Sequence, residues 1–142
     1  MSNFSKFMKA NKIQKQNVMH PVTKSLLDDN GEPLLWEIKP LTTKENEAIR
    51  DACTTDVPVK GKPNMFRPKT DMNKYQTKLI CSAVVFPDLN NAELQNSYGV
   101  MSAEELIKEM VDDPAEYTDL MMLVQQISGF KSLQEDVEEA KN

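Results

Sequence analysis

In LLWEIKPL, Leu34, Trp36 and Ile38 alternate with Leu35, Glu37 and Lys39, and an alternation of period two marks a half-buried β-strand. Just ahead of it, Asn30-Gly31 supplies the positive φ values of a tight turn, and Pro33 stands where a strand begins. The segment from Val18 to Leu41 therefore reads as a β-hairpin with Trp36 as a core anchor. Pro40 ends the strand, and Thr42 or Thr43 caps a short helix over KENEAIRDAC, acidic in its first turns. Residues 54–69 hold Pro58, Gly61, Pro63 and Pro68 and read as a long basic loop, with Met65 to Arg67 as a candidate edge strand.

Beyond residue 70 the apolar spacing lengthens to that of helices. Met72, Tyr75, Leu79, Ala83 and Phe86 fall near one face of a helix capped by Thr70 or Asp71 and stopped by Pro87; Ile80 and Val84 widen the face. The β-branched residues of its second half leave a strand as the competing reading. Asp88 or Asn90 caps AELQNSY, and Gly99 stands at its left-handed stop. Ser102 and Glu105 fit a capping box for AEELIKEMV, with Ala103, Leu106, Ile107 and Met110 facing inward. Asp113-Pro114 opens the last helix, whose stripe is Tyr117, Leu120, Met121, Val124 and Ile127. Met122 lies off that stripe. Gly129 ends the helix, and Phe130 packs back on Val124. At the other terminus Phe4, Phe7 and Met8 alternate with Lys6, Lys9, Lys12 and Lys15, the pattern of a short basic amphipathic helix that docks on the body.

The fold class that follows is α+β: an N-terminal β-hairpin, with room for a third short strand, and a C-terminal portion of four to five helices. With 142 residues, 39% hydrophobic and 27% charged, the chain suits one domain. Residues 1–16 form a docking segment, 17–69 the hairpin, short helix and loop, 70–130 the helical portion, and 131–142 an acidic tail. No apolar run approaches the roughly 20 residues of a membrane span, and the N-terminus lacks a secretory pattern, which points to a cytoplasmic protein without membrane contact.

Chemistry has few carriers. His20 is the only histidine, Cys53 and Cys81 the only cysteines, and the glycines at 31, 61, 99 and 129 stand apart from any phosphate loop. These counts point to no catalytic residue, no metal site and no cofactor. Charge does change the picture: residues 1–70 hold 12 basic and 8 acidic side chains, residues 71–142 hold 5 and 14. From Pro87 to Met122, Lys108 alone faces nine acids, which repels a nucleic-acid backbone there. Nine methionines suit an adaptable contact surface, and Phe4, Phe7, Met101 and Met122 are the candidate partner-binding residues.

The runs VTKSLLDDNGEPLLWEIKPLTTKENEAIRDACT, VVFPDLNNAELQNSYGVMSAEELIKEM and DDPAEYTDLMMLVQQISGF resemble the XkdN-like tail assembly chaperones of tailed phages and of defective prophages in Gram-positive hosts. The resemblance runs from about residue 4 to residue 130. Its most specific parts are WEIKP with KENE, and PDLNNAELQNSYGV, so that Trp36, Pro87, Leu89, Leu94, Tyr98 and Gly99 form the structural motif. The resemblance implies a non-enzymatic chaperone that binds the tape measure protein, keeps it soluble and assists tail-tube subunits to polymerise around it. Two other classes stay open: a phage regulatory adaptor or DNA-associated protein using the basic N-terminal half, and a filament or ring built by self-association.

Overall fold

The computed structural model describes residues 3–130; the acidic tail expected over 131–142 lies outside them. Strand β1 (Val18–Pro21) pairs antiparallel with β2 (Leu35–Ile38), setting His20 opposite Trp36 and Val18 opposite Ile38. In the connection, Asp28 Oδ1 accepts from the backbone N–H groups of Asn30 (2.8 Å) and Glu32 (3.0 Å), and Gly31 takes φ 80°, a region open to glycine. The period-two alternation holds within β2, where Trp36 and Ile38 are 1% and 0% exposed and Leu35 is 53% exposed; Leu34, expected on the inward side, precedes the strand and is exposed.

Helix α1 (Thr43–Ala52) starts with a complete capping box. The Thr42 hydroxyl accepts from the Glu45 N–H, and the Glu45 carboxylate accepts from the Thr42 N–H. Strands β3 (Thr54–Pro58) and β4 (Phe66–Thr70) then pair with each other as a two-stranded ribbon, where a long loop with one edge strand is expected from the sequence. The prolines permit it. Val59 donates to the Met65 carbonyl (2.9 Å), and in the alternation of an antiparallel ladder this leaves Pro58 and Pro68 at positions whose N–H would point outward.

Helix α2 (Met72–Ala83) is capped by Asp71 and buries Tyr75, Leu79, Ile80 and Ala83, as its spacing predicts. It stops earlier than Pro87. Val84–Phe86 leaves the helix as strand β5, which pairs antiparallel with β2, so the sheet order is β1-β2-β5. Glu37 lies opposite Phe86 and Ile38 opposite Val84, which leaves Val85 as a bulge. Pairing to β2 thus overrides the helical continuation, and Met72 and Phe86, expected on the inner face, are exposed. A cis peptide bond joins Phe86 to Pro87.

Helix α3 (Ala92–Ser97) is capped by Asn91 rather than by Asp88 or Asn90, the candidates read from sequence; Asp88 closes a turn by accepting from the Asn90 N–H. Gly99 follows at φ 67°. Ser102 caps α4 (Ala103–Met110), which buries Leu106, Ile107 and Met110, while the Glu105 carboxylate reaches the Met101 N–H in place of the Ser102 one. Helix α5 (Pro114–Ser128) has Asp113 as cap and buries Leu120 and Val124; Gly129 at φ 86° ends it, and Phe130 donates to the Gln125 carbonyl (2.8 Å). The N-terminal segment forms two 3-10 turns, Asn3–Phe7 and Lys9–Asn11, with no buried residue, in place of the amphipathic helix. Five residues and then three are too few to bury an apolar stripe.

The core runs from Trp36 and Ile38 through Leu79, Ile80 and Ala83 to Leu106, Ile107, Leu120 and Val124. Of the motif residues, Trp36 and Leu89 are buried, and Leu94 and Tyr98 pack half-buried against the core. Replacing Trp36 by Ala is expected to lower stability by about 3–5 kcal/mol, against about 0.5 kcal/mol or less for Leu35→Ala in the same strand, both read from urea unfolding.

Candidate protein-interaction surfaces

Because one sheet face packs on the helices, the other must meet solvent or a partner. Register puts Met19, Glu37 and Phe86 in one row across the three strands, with Pro21 and Leu35 beside it. Met19, Leu35 and Phe86 are each more than half exposed. An apolar row on an open sheet face is the kind of surface that binding covers. Glu37, in the middle of the row, accepts from the Asn17 side chain (2.8 Å).

The residues singled out from sequence are all exposed. Phe4 and Phe7 belong to the first 3-10 turn, Met101 (91% exposed) to the turn ahead of α4, and Met122 to the middle of α5. They occupy separate elements rather than one pocket. Met110, on the inward stripe of α4, is buried, and Met121 is half-buried against the core. Helical spacing thus separates Met122 from its neighbour. The apolar group of Met19 and Phe86, in the row, and Leu35 beside it escapes sequence inspection, since these residues meet only through cross-strand register.

Hydrogen bonds tie the flanking segments down. Glu116 of α5 accepts from the Thr23 hydroxyl (2.7 Å) and the Lys24 N–H (2.8 Å), closing one side of a cleft of about 360 Å³ that His20, Asp113 and Asp119 also line. Lys15 donates to the Ser128 carbonyl (2.9 Å), a cation at the negative end of α5. Leu41 N–H donates to the Ser128 hydroxyl (2.8 Å). These ties anchor the residues just after β1 to the start of α5, and those before β1 and after β2 to its end.

The groups with chemical potential are separated. His20 sits half-buried in β1, Cys53 is buried at the end of α1, and Cys81 belongs to α2. Burial, with the Glu104 carboxylate adding, pushes the Cys81 thiol up to about 12. Such a thiol stays protonated and unreactive at neutral pH. The Lys39 ammonium, 2.6 Å from Glu45, holds that carboxyl below its usual range. Among the described residues no group of three histidines, cysteines or carboxylates could hold a metal, and no helix is long and apolar enough to cross a membrane.

Comparison with known proteins gives these surfaces a context. The model of the phage XkdN-like tail assembly chaperone family matches residues 4–141. The phage-like element PBSX protein XkdN of Bacillus subtilis is 26% identical over 141 residues, 99% of this chain and 94% of its own length. The B. subtilis protein YqbN is 25% identical over 138 residues, 97% of this chain and 91% of its own. A crystal structure of YqbN superposes with a TM-score of 0.76 at 21% identity, covering 92% of this chain and 99% of that one, and so shows a shared fold.

Both thiols are expected to resist iodoacetamide at neutral pH in the folded protein and to react in urea, as read by mass spectrometry. A thiol whose pKa is raised by folding stabilises the native state below its unfolded pKa of about 8.5 and loses that contribution as pH rises towards the folded value. The Cys81 contribution should therefore fade between those limits, and Cys81→Ala should flatten the alkaline side of the stability curve.

Proposed function

The chain belongs to the phage XkdN-like tail assembly chaperone family, and from that premise we propose that it binds the tape measure protein of its tail, keeps it soluble and assists tail-tube subunits to polymerise around it. The family match across residues 4–141 carries this reading. The exposed apolar positions supply its physical means. A long helical partner without its tail tube exposes apolar stripes that would aggregate, and an open group such as Met19, Leu35 and Phe86, with Met101 and Met122 on the helices, gives those stripes adaptable cover. Phe4 and Phe7 add exposed aromatic side chains on the N-terminal turn.

In this reading the work is binding alone, carried out in the host cytoplasm during assembly, and needs neither catalysis nor a cofactor. A chaperone of this kind must let go when tube subunits arrive. Several separate shallow contacts suit release better than one deep pocket, because each is displaced in turn.

Co-expression with the tape measure protein of the same tail, followed by size-exclusion chromatography with light scattering, tests the reading. The expected outcome is a defined soluble complex, with the partner insoluble when expressed alone. Met101→Glu combined with Met122→Glu should reduce the recovered complex by about tenfold or more, since desolvating two carboxylates in an apolar contact costs well over the 1.4 kcal/mol of a tenfold change. Wild-type protein that elutes free beside an insoluble partner would refute it.

A further inference from the structure

Ribbon β3–β4 stands apart from the packed body. Its strands pair with each other and pack substantially on no other element. Two contacts close its base: the Thr54 and Thr70 hydroxyls, 2.7 Å apart, and the bond from Asp71 N–H to the Cys53 carbonyl (2.9 Å).

Register sorts the ribbon into two unlike faces. Thr55 lies opposite Lys69 and Val57 opposite Arg67, and the bond from Val59 to Met65 continues that same face. It therefore mixes cations with Val57, Val59 and Met65, and the turn adds Lys60 and Lys62. The other face holds Asp56, Pro58, Phe66 and Pro68. Among the described residues the ion pairs are Lys39–Glu45 and Lys78–Glu104, so none uses the four ribbon cations. Pro58 and Pro68 each remove an outward donor, one from each edge, which disfavours strand addition. What the ribbon offers is a face.

The same chain carries the complement. From Met101 to Asp119 seven carboxylates stand against Lys108 alone. Glu104 is engaged by Lys78, Glu116 by Thr23 and Lys24, and Asp113 by the first turn of α5. Glu105, Glu109 and Asp112 are exposed along the line that begins at Met101, with Leu106, Ile107 and Met110 buried behind them. Asp119 is exposed on α5. This surface, like the ribbon face, sets charge beside an exposed apolar side chain, with the opposite sign.

We infer that the cationic ribbon face docks on the anionic surface of α4 and the start of α5 of a second copy of this chain. The inference goes beyond tape measure binding and does not depend on it. Because the two patches differ, each copy in such a contact keeps one patch free, and association runs head to tail. Exposed ion pairs are individually weak and screened by salt, so the contact is concentration-dependent and lost at high ionic strength.

Sedimentation velocity over a concentration series, at about 0.05 M and about 0.5 M NaCl, tests it. At low salt the average mass should rise above the 16.1 kDa monomer as concentration increases, and at high salt it should return to 16.1 kDa. Arg67→Glu/Lys69→Glu and Glu109→Lys/Asp112→Lys should each stay monomeric at low salt, because ribbon and helix surface then carry the same sign. An equimolar mixture of the two should associate again. All four positions are exposed, and unchanged circular dichroism and unfolding midpoints would establish that the variants fold. Wild-type protein that stays monomeric at every concentration would overturn the inference, as would variants that associate like wild type or a mixture that fails to. So would monomeric wild type retained on duplex DNA through Arg67 and Lys69, which would assign the ribbon to a phosphate backbone.

Discussion

Helix α2 is the member on which the other elements depend. It packs on α1, α4 and α5, and without a break its chain becomes β5, the strand that pairs with β2. Leu79, Ile80 and Ala83 are fully buried at the point where the helical portion meets the sheet. Polar ties reinforce the packing: the Thr77 hydroxyl meets the Tyr117 hydroxyl at 2.9 Å, the Tyr75 hydroxyl donates to the Asn46 side chain, and the Lys39 N–H donates to the Ala83 carbonyl at 2.8 Å. One helix thereby fixes the sheet against the bundle. A change there would move every surface at once.

With the inner sheet face and the inner helix stripes spent on that core, the apolar residues left outside are distributed over several elements: the outer sheet row, the turn ahead of α4, the middle of α5 and the N-terminal turns. A rigid frame holding scattered shallow contacts is suited to covering an extended partner, where a single cavity is suited to a small ligand. The tail assembly family to which the chain belongs fits that geometry.

Much of this was legible in the residues themselves, for physical reasons that differ by element. Capping chemistry is local, so Thr42 with Glu45, Ser102, Asp113-Pro114 and Gly129 mark helix ends that the structure reproduces. Trp36, Ile38, Leu106, Ile107, Leu120 and Val124 are buried as their periods require. Of the ribbon only the edge strand near Met65 to Arg67 is legible: both faces are largely exposed, so no clear alternation marks its strands, and its prolines and glycine carry the signal of a loop. Strand β5 is only the competing reading in the sequence, because its three residues continue a helical period and their β-branched side chains alone do not decide against it; pairing to β2 does. Exposure of Met122 follows from its place on the helix, whereas the group of Met19, Leu35 and Phe86 requires strand register. Charge asymmetry was visible along the chain, but its division between a projecting ribbon and a helical surface was not.

Hydrogen–deuterium exchange of the protein, free and in complex with its tail partner, tests most directly the claim that a frame organised on α2 presents separate surface contacts. Amides of α2 should exchange slowest in both states. New protection on binding should appear in β1, β2 and β5, in the turn at Met101 and around Met122. Fast exchange in α2 of the free protein, or protection gained chiefly within α2 with the outer sheet row unchanged, would contradict the account.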